Sequence, residues 1–144
     1  MKRRLATALA AAFALVAACG RTDDGEHRVE VADAIVTLPA AAGRPGAAYF
    51  RLEANRTARL TGISSRRAAR IELHEPGMRR TEAMALAPGE PLAFEPGGRH
   101  AMLFGLDASL RAGERIALTF NFDGAPTVTA EAEVRRAGDV HGAH

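Results

Sequence analysis

Residues 115–134, RIALTFNFDGAPTVTAEAEV, decide the fold class of this chain. Apolar side chains alternate with other residues on both sides of Asp123-Gly124, a pair that is typical of a turn between two strands. Similar short apolar or alternating runs, separated by turn pairs such as Pro76-Gly77 and Pro88-Gly89, span residues 29–31, 34–38, 47–52, 59–63, 70–74, 91–95 and 100–106. Many short strands without a long helical period predict an all-β sandwich or barrel.

The N-terminus has the pattern of an export signal. Lys2, Arg3 and Arg4 precede an apolar run over residues 5–16, and residues 15–20, LVAACG, resemble a bacterial lipobox. Cleavage after residue 18 would leave Cys19 as an acylated N-terminus, and the alternative is a plain cleavage site at the same place. Because Cys19 is the only cysteine, a free thiol in an oxidising compartment is the less favourable reading. We therefore predict a lipid-anchored protein that does not span the membrane.

The remaining chain is long enough for one domain and too short for two. We predict a signal peptide over residues 1–18, a lipidated and flexible tether over 19–27, a β-domain over 28–136, and a flexible tail over 137–144. That tail contains His141 and His144, whose role stays open between weak metal binding and none. Without the signal, 16 basic residues face 17 acidic ones, which gives no support to nucleic-acid binding. We expect a monomer.

Methionines and histidines gather in one part of the chain. Three of its four methionines and two of its five histidines lie between residues 74 and 102, and these are His74, Met78, Met84, His100 and Met102. Thioether sulfur is a soft, neutral ligand that prefers Cu(I), and imidazole binds copper in either oxidation state. The cluster therefore indicates a Cu(I) site, although methionines so placed are also common as flexible core filler.

Strand alternation places some of these side chains on one face. His100 and Met102 are two residues apart in a predicted strand, so they point to the same side of the sheet. In residues 70–74, Ile71 and Leu73 take one face while Glu72 and His74 take the other. Met78 lies in a predicted turn beside Arg79 and Arg80, and we interpret it as a nearby surface residue or auxiliary ligand.

These residues and their surroundings resemble the periplasmic PCu(A)C family of copper chaperones. The resemblance covers residues 31–122 and is carried by GAAYF at 46–50, ELHE at 72–75 and EPGGRHAML at 95–103. It implies a cupredoxin-like Greek-key β-sandwich that binds Cu(I). The implied ligands are His74, Met84, His100 and Met102. The interval from Met84 to His100 is shorter than in the family, so Met78 is the alternative to Met84.

The resemblance also implies a function and partners. It implies delivery of copper to an acceptor, either the CuA subunit of cytochrome c oxidase or a Sco-type protein. The lack of a cysteine beyond Cys19 excludes blue-copper electron transfer and CxxC redox chemistry, and no catalytic constellation predicts an enzyme. The alternatives are a copper-sequestering lipoprotein and a metal-free interaction module. We expect the protein on the periplasmic side of the envelope. Gly20, in place of the aspartate of inner-membrane retention signals, favours the outer membrane.

Overall fold

The computed structural model describes residues 25–140, and the prediction of an all-β fold is confirmed. The ten strands of this described part are β1 (Val29–Thr37), β2 (Gly46–Ala54), β3 (Ala58–Ser64), β4 (Arg70–Glu75), β5 (Arg79–Thr81), β6 (Met84–Leu86), β7 (Leu92–Phe94), β8 (His100–Phe104), β9 (Arg115–Asp123) and β10 (Val128–Arg135). Within the described residues, no helix is long and apolar enough to cross a membrane. The predicted signal peptide, Cys19, His141 and His144 lie outside the described residues.

The strands form one continuous sheet instead of two separate ones. Its order is β5-β4-β8-β2-β1-β10-β9-β3-β6, and β7 also pairs with β2. All neighbours are antiparallel except β1 and β10, which run parallel. Contact between β3 and β4 brings distant parts of the sheet together, so the sheet curls into a nearly closed barrel. The strands β5, β4 and β8 lie together at one end of this order.

The core is built from the alternation that the sequence displays. In β2 the buried side chains share one face while Arg51 and Glu53 are exposed. Phe50 of β2 stacks on Phe94 of β7 at a centroid distance of 4.2 Å. The ring of Phe120 meets Phe50 edge-on at 4.9 Å and an interplanar angle of 82°. Aromatic contacts of this kind join β2, β7 and β9 across the barrel interior.

The segment before β1 is attached to the turn after β2. Arg56 and Asn55 donate side-chain hydrogen bonds to the carbonyl oxygens of Gly25 and Glu26, at 3.0 and 3.1 Å. The amide of Arg28 donates to Oδ1 of Asn55 at 2.9 Å. Three residues of the predicted tether, 25–27, thus lie against the domain.

Truncation of the central aromatic side chain tests this core. Phe120 is completely buried, so Phe120→Ala should lower the free energy of unfolding by about 3–5 kcal/mol through lost burial and a residual cavity. Chemical denaturation measures the effect. Exposed Asn121 is the matched control on the same strand, and Asn121→Ala should change stability by about 0.5 kcal/mol or less. Similar losses for the two variants would contradict the core assignment.

Candidate metal centre

The register of β4 and β8 places two histidines side by side. His74 lies opposite His100, and Glu72 lies opposite Met102. Residues two apart in a strand share a face, and directly opposed residues share it too. We call this set the histidine face, and its members are Glu72, His74, His100 and Met102. The intervening residues Leu73 and Ala101 are buried in the core on the other side of the sheet.

The two imidazole rings are stacked and mostly covered. Their centroids are 5.3 Å apart with an interplanar angle of 23°. His74 is only 7% exposed, while His100 and Met102 are half-buried. Nδ1 of each ring faces a backbone carbonyl oxygen, that of Met78 for His74 at 3.2 Å and that of Gly98 for His100 at 3.0 Å. A ring that donates its proton to such a carbonyl keeps the lone pair of Nε2 available to a metal.

The turn over residues 95–99 fixes His100. This turn connects β7 to β8. Both strands pair with β2, β7 along residues 50–52 and β8 along residues 46–48, and the turn itself is not part of that pairing. The amide of Gly98 donates to the carbonyl of Glu95 at 3.0 Å, and that of Glu95 donates to the carbonyl of Arg99 at 2.8 Å. A Cβ atom on Gly98 would come within 3.3 Å of Cγ of Glu95. Glycine therefore permits the tight turn that presents the Gly98 carbonyl to His100.

Met78 lies beside this face in the hairpin between β4 and β5. Glu75 pairs with Arg79, which leaves residues 76–78 as the turn. Met78 has a φ of 65° and is 59% exposed. A side chain in the left-handed region costs roughly 1–2 kcal/mol relative to its ordinary conformation, and here core packing does not offset that cost. An exposed thioether held in a strained turn next to a histidine is typical of a functional position.

Met84 is placed elsewhere, in the core. It is 4% exposed, lies opposite Leu60 in the pairing of β6 with β3, and belongs to the hydrophobic cluster. Met84 and Leu86 are buried while Ala85 between them is exposed. The structure brings His74, His100 and Met102 together, with Met78 next to them, and does not bring Met84 to the histidine face. With three residues, β6 is too short for its alternation to have shown this in the sequence.

Glu72 is a member of the histidine face to which the sequence analysis assigned no role. Its Oε2 lies 3.3 Å from Nε2 of His74, and its Oε1 lies 2.9 Å from Nε of Arg70 and 4.0 Å from Nε of Arg80. Desolvation raises the pKa of this carboxyl. Hydrogen bonds from His74 and Arg70 and the charges of Arg70 and Arg80 outweigh that effect and lower the pKa below its usual value. Glu72 is therefore an ionised carboxylate against one of the candidate ligands.

Among the described residues, histidine and carboxylate side chains alone do not form a metal cluster. Within residues 25–140, no group of three or more His, Cys, Asp or Glu side chains is arranged to hold a metal ion. The structure instead places two imidazoles together with one thioether beside them and a second methionine on the adjoining hairpin. Two imidazoles and two thioethers form a neutral, soft ligand set that suits Cu(I).

Comparison with known proteins gives a family and a fold. The model of the LpqE-like lipoprotein family matches residues 29–134. A protein of Leifsonia xyli subsp. xyli named as a lipoprotein, Lxx21020, is 37% identical in an alignment of 79 residues that covers 49% of this chain and 48% of that protein. The match thus spans about half of that relative's length.

Solved structures share the architecture. The copper-bound PCuAC domain from PmoF2 superimposes with a TM-score of 0.67 at 24% identity, covering 75% of this chain and 92% of that domain. The apo form of the same domain gives a TM-score of 0.69 at 24% identity, covering 79% and 94%. The Cu(I) form of DR1885 from Deinococcus radiodurans gives 0.59 at 24% identity, covering 76% of each chain. These likenesses show that the barrel has the PCuAC fold.

Proposed function

The chain belongs to the LpqE-like lipoprotein family, and from this premise and the histidine face we propose that it binds one Cu(I) ion and passes it to an acceptor protein. The observation that carries the proposal is the direct pairing of His74 with His100, with Met102 on the same face. Imidazole and thioether groups bind Cu(I) without a thiolate. Structural neighbours solved with copper support the same reading.

The ligand set that we propose is His74, His100, Met102 and Met78. Met78 replaces Met84 because its side chain is exposed on the hairpin next to His74, whereas Met84 is enclosed by the core. Binding through Met84 would require the core around β6 to open. Binding through Met78 requires only rotation of an exposed, unbranched side chain, which costs much less.

Delivery follows from the chemistry of such a site. Thioethers and imidazoles are neutral, so an acceptor that offers thiolates or more histidines can take Cu(I) by sharing coordination in a transient complex. We propose a CuA subunit or a Sco-type protein as that acceptor, with Cys19 anchoring the chaperone to an envelope membrane. Sequestration without delivery uses the same site and is the second candidate.

Competitive titration tests the binding step. The full chain should take up one tight equivalent of Cu(I) against a chromophoric chelator, and Cys19→Ser is used as the background because a free thiolate would itself bind Cu(I). Incubation of the Cu(I)-loaded protein with an apo CuA domain then distinguishes a chaperone from a sequestering protein. Only a chaperone should load the CuA domain faster than a Cu(I)–chelator complex does. No tight equivalent in a folded protein would refute the copper function.

A further inference from the structure

The two histidines differ in what covers their outer ring nitrogen. Nδ1 of both rings faces a carbonyl oxygen of an adjoining turn. Nε2 of His74 also faces Oε2 of Glu72 at 3.3 Å. No such partner contacts Nε2 of His100 in the part of the chain that the structure describes. A metal that approaches the histidine face therefore finds one outer nitrogen open and the other already engaged.

Glu72 can leave His74 without losing all its partners. Its other oxygen is 2.9 Å from Nε of Arg70, and Arg80 lies 4.0 Å away. Both arginines are more than half exposed, so they can follow the carboxylate, while the Glu72 side chain is only 15% exposed. The backbone carbonyl of Met78 on Nδ1 is less free to move, because residues 75 and 79 on either side of it are paired in the hairpin. Of the two groups on His74, the carboxylate is the one that a metal can displace.

We propose that Glu72 is a positioning residue that holds Nε2 of His74 in the empty site and competes with Cu(I) for that nitrogen. The tautomer with its hydrogen on Nε2 donates that hydrogen to Glu72. A metal bonded to Nε2 requires the other tautomer, whose hydrogen is on Nδ1 and is donated to the Met78 carbonyl. The ring hydrogen moves from one nitrogen to the other, and the copper does not change its oxidation state.

The consequence is a site tuned for release. Each acceptor of His74 stabilises one tautomer, so the ring can change between them and keep a hydrogen bond in each. As copper leaves, the carboxylate returns to Nε2 and opposes rebinding. This inference rests on the proposed Cu(I) function, and it adds a residue that limits affinity and accelerates transfer.

Replacement of Glu72 by its uncharged analogue tests the competition. A charge-assisted hydrogen bond is stronger than a neutral one, so Glu72→Gln should bind Cu(I) about five- to ten-fold more tightly and release it more slowly by a similar factor. Titration against a chelator and stopped-flow transfer to it measure the two quantities in the full chain with Cys19→Ser. Unchanged or weaker binding in Glu72→Gln overturns the inference.

The control is the neighbouring carboxylate of the same strand. Glu75 is paired with Arg99 at 3.1 Å and lies on the opposite face from His74. Loss of a nearby negative charge by itself disfavours a cation, so Glu75→Gln should leave Cu(I) affinity unchanged or lower it. An equal gain in both variants would mean a general charge effect and would overturn the specific role of Glu72.

A metal-free measurement separates this inference from the proposed function. The ¹⁵N chemical shifts of the His74 ring report which nitrogen carries the proton. In the empty protein, Glu72→Gln should move that proton from Nε2 toward Nδ1, and an unchanged tautomer would overturn the inference even if copper binds. If wild-type protein fails to bind Cu(I) at all, the proposed function falls, whatever the ring tautomer is.

Discussion

Loss of His100 and Met102 together is expected to abolish tight binding of one Cu(I) ion. The double replacement His100→Ala/Met102→Ala removes one imidazole and one thioether from the histidine face and leaves His74 without its stacked neighbour. We expect the Cu(I) affinity to fall by at least about 100-fold, which is more than the loss of an outer hydrogen-bond partner of a metal ligand costs. Competitive titration against a chromophoric chelator measures the change.

The same variant should remain folded, because His100 and Met102 are half-buried on the outer face while Ala101 and Leu103 of that strand hold the core. Denaturation of the metal-free protein checks this. His27 provides the matched control: its Nε2 donates a hydrogen bond to the carbonyl of Arg56, away from the histidine face. His27→Ala should keep the tight equivalent. A double variant that still binds one Cu(I) tightly would remove His100 and Met102 from the site.

The sequence predicts the long strands by their alternation and the three-residue strand β7 by a short apolar run between turn residues. Residues 115–134 and β2 show alternation over eight or nine positions, and both form as expected. The strands β5 and β6 have three residues each, too few for a periodic pattern to be recognised. β1 reads in sequence as two runs because a register shift between Ala32 and Ile35, with Asp33 at a φ of 55°, interrupts its alternation. Bulges of this kind join segments that a strict period separates.

The candidate site could be predicted only in part, because it depends on pairing between distant segments. Local alternation is enough to place His100 with Met102 and Glu72 with His74. No local sequence pattern predicts that β4 pairs with β8 or that His74 lies opposite His100, because the register is set by the whole sheet. The choice between Met78 and Met84 needs the same knowledge. Both lie at plausible distances along the chain, and only the pairing of β6 with β3 assigns Met84 to the core.

The hairpin between β4 and β5 holds an exposed methionine, Met78, in a strained backbone conformation. A turn with two consecutive residues at positive φ, here Gly77 at 81° and Met78 at 65°, is most stable with glycine or asparagine. Methionine at this position weakens the turn, and its backbone carbonyl lies 3.2 Å from Nδ1 of His74. Strain that local packing does not explain supports the proposal that Met78 acts through its side-chain chemistry.

Separate replacement of Met78 and Met84 is therefore expected to distinguish an effect on copper binding from an effect on stability. Met78→Ala should lower Cu(I) affinity about ten-fold or more, and its effect on unfolding should stay within about 0.5 kcal/mol because the side chain is 59% exposed. Met78→Gly should lose the same copper affinity but gain about 1 kcal/mol of stability by relieving the left-handed strain. Titration and denaturation of the same samples measure both quantities.

Met84 should show the opposite behaviour. Met84→Ala should cost about 2–5 kcal/mol of stability through the cavity that it leaves, while the folded protein keeps its Cu(I) affinity. Met84→Leu conserves volume and should cost less than about 1.5 kcal/mol, so it removes the thioether from a core that stays packed. Loss of the tight equivalent in Met84→Leu, together with its retention in Met78→Ala, would make Met84 the fourth ligand. That result would require the core around β6 to open when copper binds, because the fold encloses Met84 in the hydrophobic core, on the side of the sheet away from His74.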